Sequence, residues 1–132
     1  NTVYRFAYDA ETGALSDREV FVDTTEDRGA PDGLTVDAEG FVWSARWNGG
    51  GVVRYAPSGD RDRRVEFPAR KVTSLTFGGP DCGTAYLTTA RGAAASPPGA
   101  REDEGPGAGA LLRADLGVVG RPEFRSSVFP FR

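Results

Sequence analysis

A strand-like run recurs along this chain with an arginine in the same place each time. Val3-Tyr4-Arg5-Phe6-Ala7 is matched by Val52-Val53-Arg54-Tyr55-Ala56, 49 residues later. Leu111-Leu112-Arg113-Ala114 fits the same template after a further 59. A second series agrees: Gly33-Leu34-Thr35-Val36 matches Ser74-Leu75-Thr76-Phe77 at an offset of 41, and Ser44-Ala45-Arg46 matches Thr89-Ala90-Arg91 at 45. The offsets drift because length changes fall in turns. A period of 40–50 residues with four short strands per unit is the pattern of a β-propeller blade. Coincidence among short β-rich strings is the competing reading, and three copies with arginine in register weigh against it.

The local chemistry agrees with an all-β fold. Runs rich in Val, Phe, Tyr and Thr predict strands at Val3–Tyr8, Glu19–Val22, Leu34–Val36, Phe41–Arg46, Val52–Tyr55, Arg64–Phe67, Ser74–Phe77, Ala85–Thr89 and Leu111–Ala114. Between them stand turn-forming sequences such as Glu11-Thr12-Gly13, Pro31-Asp32-Gly33, Pro57-Ser58-Gly59-Asp60 and Gly78-Gly79-Pro80-Asp81. No segment carries a sustained helical apolar period with caps. Residues 93–110, rich in Ala, Gly and Pro around Arg101-Glu102-Asp103-Glu104, read as a long, mobile, solvated loop.

Counting strands divides the chain as one propeller portion. Residues 1–23 give the back half of a blade, 33–68 one blade, and 74–129 a further blade with an insertion at 91–109. About two and a half blades cannot close a ring and would leave unpaired edges exposed. The first residue is Asn1, not Met. The expectation is a piece of a longer chain whose missing N-terminal half of the propeller lies upstream, or in a partner.

Composition removes whole classes of chemistry. The chain has no His and a single Cys, Cys82. Ser-His-Asp triads, Cys-His dyads, His-ligated zinc and internal disulfides are therefore excluded within it. A net charge of −3, with Arg scattered among 19 carboxylates, gives no electrostatic reason for nucleic acid. No apolar run approaches a membrane span. One cysteine is compatible with a reducing compartment, and a cytoplasmic location is the expectation.

Strand alternation places the loops at 29–33, 46–51, 69–74 and 91–109 on one face, and the tight turns at 37–40, 57–62 and 78–83 on the other. The longer, less regular loops share the first face, so the site is expected there, with 91–109 as a lid. Asp32 stands at the start of an innermost strand, at the mouth of the central channel. Its residues read two ways: an ordinary Pro-Asp-Gly turn, or a carboxylate for a hard cation or for general-base chemistry. Asn48-Gly49-Gly50-Gly51 lacks the Lys and helix of a phosphate loop and reads as a hairpin turn. Trp47 either walls a pocket or packs between blades. Arg46 and Arg91 hold equivalent repeat positions, which favours a scaffold role over binding a ligand carboxylate. Ser74 has no His partner, and Cys82 sits in a turn on the far face.

Several stretches in order carry a resemblance. They are Tyr8-Asp9-Ala10-Glu11-Thr12-Gly13-Ala14-Leu15-Ser16, Ala30-Pro31-Asp32-Gly33-Leu34-Thr35-Val36-Asp37-Ala38-Glu39-Gly40-Phe41-Val42-Trp43, Trp47-Asn48-Gly49-Gly50, Val53-Arg54-Tyr55 and Thr73-Ser74-Leu75-Thr76-Phe77-Gly78-Gly79-Pro80-Asp81. Together they resemble the C-terminal part of the gluconolactonase / regucalcin (senescence marker protein) / luciferin-regenerating enzyme family, from residue 1 to about 115. The resemblance implies a six-bladed propeller and hydrolysis of a sugar lactone. It also implies one divalent cation (calcium, zinc, manganese or magnesium) at the axial mouth. It assigns Asp32 as metal ligand and general base, and leaves Trp47, Thr73 and Arg91 as pocket candidates. The family's other ligands, a Glu and an Asn, and its substrate-contacting Arg, Asn and Glu fall upstream. One carboxylate is too few for a tight cation site, so the isolated chain is expected to be inactive. The alternative is a non-catalytic propeller module that binds a sugar acid or a protein partner.

Overall fold

The computed structural model describes residues 1–92 and 104–123. It contains nine strands: β1 (Thr2–Tyr8), β2 (Leu15–Asp23), β3 (Ala30–Val36), β4 (Val42–Trp47), β5 (Gly51–Tyr55), β6 (Arg61–Glu66), β7 (Val72–Gly78), β8 (Thr84–Thr89) and β9 (Leu111–Asp115). Each lies on one of the nine runs picked out by residue type. They form three antiparallel meanders, β1-β2, β3-β4-β5-β6 and β7-β8-β9, the sheets of a β-propeller. Among the described residues no helix is long and apolar enough to cross a membrane.

The core lies between the second and third sheets. In β4 the side chains of Trp43 and Ala45 join Val52 of β5 on one face, and Val72, Leu75, Phe77, Ala85, Leu87 and Leu116 meet them from the third sheet. Period-two alternation and the pairing Ala45↔Val52 keep these groups on that face. Trp43 meets Phe77 edge-on, with ring centroids 6.0 Å apart at 71°. Burying each such aromatic stabilises the sheet pair by roughly 1.5–3 kcal/mol. The innermost strands β3 and β7 touch where Gly33 faces Ser74, and a Cβ on Gly33 would overlap the Ser74 side chain.

The first sheet is tied on by polar bonds. Within that sheet, Thr24 Oγ1 donates to the Asn1 carbonyl at 2.7 Å and closes the open end of the β1–β2 pair. In the β2–β3 connection, Asp27 accepts from Arg46 (3.2 Å), Arg61 (3.2 Å) and the Tyr55 hydroxyl, one group from each of three strands of the second sheet. The outward faces of the first sheet are open, with Tyr8 and Leu15 66% and 63% exposed. Between this sheet and the second runs an apolar crevice of about 380 Å³, lined by Val3, Phe21, Leu34, Val36 and Val42 among others.

Three features differ from the sequence reading. Pro31-Asp32-Gly33 is not a turn; it lies inside β3, in a register shift between Pro31 and Leu34. The close approach to Ser74 holds it there as a bulge, overriding the local turn preference of the three residues. Within 91–109, Glu104 is not solvated, being 5% exposed, whereas Pro106, Gly107 and Gly109 beyond it are exposed. The third sheet has three strands among the described residues. β9 ends at the tight-turn end of the blades, and the chain beyond it reaches across to the second sheet, where Gly120 bridges Asp37, the Ala38 N–H donates to the Val119 carbonyl and the Gly120 N–H to the Cys82 carbonyl. Gly120 is required there, because a Cβ would overlap Phe77. The 74–129 unit beyond residue 123 lies outside the described residues, as do Arg101-Glu102-Asp103.

Candidate functional site

The irregular connections gather at one end of the meanders. The Gly50 N–H donates to the Arg70 carbonyl at 2.8 Å, the Arg70 N–H to the Glu104 carbonyl at 2.8 Å, and the Ala90 N–H to the Lys71 carbonyl at 3.0 Å. Residues 46–51, 69–71, 90 and 104 therefore meet on one face. The turn at 47–50 forms because Asn48 and Gly50 adopt positive φ (58° and 66°), which Asn and Gly tolerate best. Gly29 packs on the Gly49 backbone and the Trp47 carbonyl, so the β2–β3 connection joins the same face.

Asp32 sits on this end of innermost strand β3, exposed. Among the described residues its carboxylate takes part in no hydrogen bond or ion pair. In this it differs from Asp27 and Asp37, whose carboxylates accept from Arg46 and Tyr55 and from Trp43 and Arg54. The bulge turns it out of the ladder, while the fit of Gly33 against Ser74 fixes the backbone. Thr73 lies beside that contact, in the register shift of β7 between Val72 and Ser74, with its hydroxyl 2.7 Å from that of Thr88. Trp47 ends β4 opposite Ala30, two residues from Asp32, with the Lys71 ammonium 5.5 Å from its ring centroid. Asp32 of β3, Thr73 of β7 and Trp47 of β4 therefore lie at the same end of three neighbouring strands. Arg91 does not join them by any bond among the described residues; it is exposed and its Nε donates to the Ala108 carbonyl at 3.2 Å. Arg46 is fully buried against Asp27.

Three residues of this face escaped the sequence reading. Asp27 organises Arg46, Tyr55 and Arg61. Burial and the hydrogen bond to Asp27 push the Tyr55 phenol above its ordinary value. Lys71 and Glu104 form a buried ion pair 33 residues apart, which no local pattern announces. The one available signal was that Lys71 is the single Lys beside 15 Arg.

As a cation site the described residues are incomplete. They contain no cluster of three or more His, Cys, Asp or Glu able to hold a metal. Asp32 offers one carboxylate, and a hard cation of this kind takes six or more oxygens. The residues present do not fit a whole cation site, only one corner of one.

The fold defines an all-β propeller protein whose irregular connections gather at one end of the blades. The sequence pattern described as "SMP-30/Gluconolactonase/LRE-like region" matches residues 1–91. The chain is 54% identical over 128 residues to pentonolactonase XacC of Haloferax volcanii, covering 96% of this chain and 44% of that protein. Among solved structures, the calcium-binding protein regucalcin of Agrobacterium tumefaciens superposes with a TM-score of 0.77 at 34% identity, over 94% of this chain and 41% of that one. A luciferin-regenerating enzyme does so with a TM-score of 0.77 at 29% identity, over 91% and 40%. The chain belongs to the SMP-30/gluconolactonase/luciferin-regenerating enzyme family. It spans less than half the length of these relatives.

Proposed function

We propose that the complete protein containing this chain hydrolyses a sugar lactone, with Asp32 as general base and as one ligand of a divalent cation. The observation that carries this reading is the state of Asp32: an exposed carboxylate, unpaired among the described residues, on a braced bulge at the mouth of the inner strands. The 54% identity to a protein named pentonolactonase supports the substrate class, and the likeness to a calcium-binding regucalcin supports the cation.

Asp32 would hold one corner of the cation, which would supply Lewis acidity at the lactone carbonyl. This chain's own contribution is proton handling and shape. The Asp32 carboxylate accepts a proton from the attacking water as the new C–O bond forms. That proton returns to the ring oxygen as the acyl C–O bond breaks, and the product is the open-chain hydroxy acid. Trp47 offers an apolar wall and Thr73 a hydroxyl for a sugar oxygen. Arg91 reaches the site only through the 104–110 segment it bonds. Calcium, zinc, manganese and magnesium all suit a carboxylate corner.

We further assign the three sheets to a half blade at 1–23, a blade at 33–68 and the blade begun at 74, within a six-bladed ring. The exposed faces of Tyr8, Leu15 and Leu34 and the crevice beneath them are where the rest of the ring packs.

The test is lactone hydrolysis by the complete protein with each of the four metals, followed by pH-stat titration of the acid released. Metal-dependent acid release supports the reading. Absence of release with retained binding of a sugar acid supports instead the non-catalytic module.

A further inference from the structure

Glu104 is buried, yet only half of its carboxylate is satisfied. One oxygen accepts from Lys71 Nζ, and Oε2 is buried without a partner among the described residues. Lys71 is equally enclosed, with 11% of its side chain exposed against 7% for Glu104. The same ammonium stands 5.5 Å from the centroid of the Trp47 ring. The ammonium thus meets a carboxylate and an aromatic face together.

The pair sits at the head of a docked segment. Behind Glu104, Gly105 takes a φ of 75° and lies so close to the Pro68 carbonyl that a Cβ would overlap it. Thr89 Oγ1 lies 2.8 Å from both the Gly107 and Ala110 carbonyls, and Arg91 Nε donates to the Ala108 carbonyl. Residues 104–110 are thus held at one end by an ion pair and at the other by Thr89 and Arg91. The ion-paired end reaches Trp47 through Lys71, and Trp47 pairs with Ala30, two residues from Asp32.

We propose that Lys71 and Glu104 are positioning residues: their ion pair clasps the 104–110 segment onto Trp47 and fixes one wall of the site around Asp32. The effect on turnover rests on the lactonase reading; the clasp itself does not. A buried ion pair adds little net stability over a well-packed apolar pair, so its role here is to position the segment. Arg91, on this account, acts on the wall and not on the substrate.

The experiment compares the complete protein with its Glu104→Gln, Lys71→Met and Lys71→Met/Glu104→Leu variants. The double variant removes the pair without leaving a lone buried charge, so it folds even where Lys71→Met does not. Two readouts need no activity: hydrogen exchange of peptides covering 104–111, and acylation of Lys71 by an amine-reactive ester, read by mass spectrometry. Glu104→Gln should speed exchange at the Ala108 and Ala110 amides and acylation of Lys71 by about tenfold or more. The double variant should match it in exchange. With a lactone substrate, KM should rise severalfold while kcat holds within about twofold, the pattern of lost positioning rather than lost chemistry. Unchanged exchange and acylation would overturn the clasp. Faster exchange with unchanged KM would overturn the positioning role. If the parent protein hydrolyses no lactone, the lactonase reading fails, and the clasp is judged on exchange and acylation.

Discussion

Asp37 and Arg54 form a buried ion pair, with 2.6 Å between the guanidinium nitrogen and the carboxylate oxygen. The same carboxylate accepts the Trp43 indole N–H at 2.9 Å and the backbone N–H groups of Glu39 and Phe41 at 3.0 Å. Arg54 also lies 3.8 Å from the Phe41 ring centroid. Burial alone would lower the Arg54 pKa, but its hydrogen bonds to Glu39, Asp37 and Asp62 outweigh that and raise it. The repeat arginine thus locks the turn at 37–40 to the core tryptophan. Asp37→Ala leaves Arg54 buried without this partner and should cost about 3–5 kcal/mol. Arg5, at the same repeat position, makes an exposed pair with Glu19, and Arg5→Ala should cost less than about 1 kcal/mol. Urea unfolding of both variants measures the contrast; equal losses would mean that the repeat arginine acts through propensity alone.

Tyr55 makes stability depend on alkaline pH. Its phenol is held above the ordinary value of 10.0 by burial and by Asp27. The unfolded chain gives up this proton first. The stabilisation is therefore complete below the unfolded pKa and is lost as pH rises through the folded one. Tyr55→Phe should lower stability by about 1–2 kcal/mol at neutral pH, and should lose less than the parent between about pH 9 and 11. Denaturant midpoints across that range give the answer. A parallel decline in both proteins would contradict the assignment.

Gly33→Ala should destabilise by about 1–3 kcal/mol through overpacking at the β3–β7 contact. Ser74→Gly should not rescue it, because the Ser74 Cα lies 2.7 Å from the added methyl as well. Full rescue, read by thermal unfolding of the double variant, would show that the two strands separate easily and that Asp32 is not braced by them.

Calorimetry on the 132-residue chain should find no tight cation binding, since the described residues supply only one carboxylate at the inner mouth. A tight 1:1 site for calcium or zinc, abolished in Asp32→Ala, would show that the chain assembles ligands of its own.

The strands were legible because each declares itself locally. Runs such as Ser74-Leu75-Thr76-Phe77 alternate and end at Gly78-Gly79-Pro80, and the repeat arginines gave their order. What stayed hidden depends on contacts distant in sequence. Pro31-Asp32-Gly33 has the chemistry of a turn, and only Ser74, on another strand, makes it a bulge. Glu104 stands in a run of charges that reads as solvated, until Lys71 is found beneath it. Asp27 looks like any loop carboxylate, although it gathers donors from β4, β5 and β6. The candidate base, Asp32, was visible as a residue type in a family motif. Its exposed position on the bulge required the fold.

The most direct measurement is the initial rate of sugar-lactone hydrolysis by the complete protein and by its Asp32→Asn variant, each saturated with cation. The account predicts metal-dependent hydrolysis that falls by about 10²–10⁴-fold in the variant while the fold is retained. Undiminished hydrolysis in Asp32→Asn would contradict it.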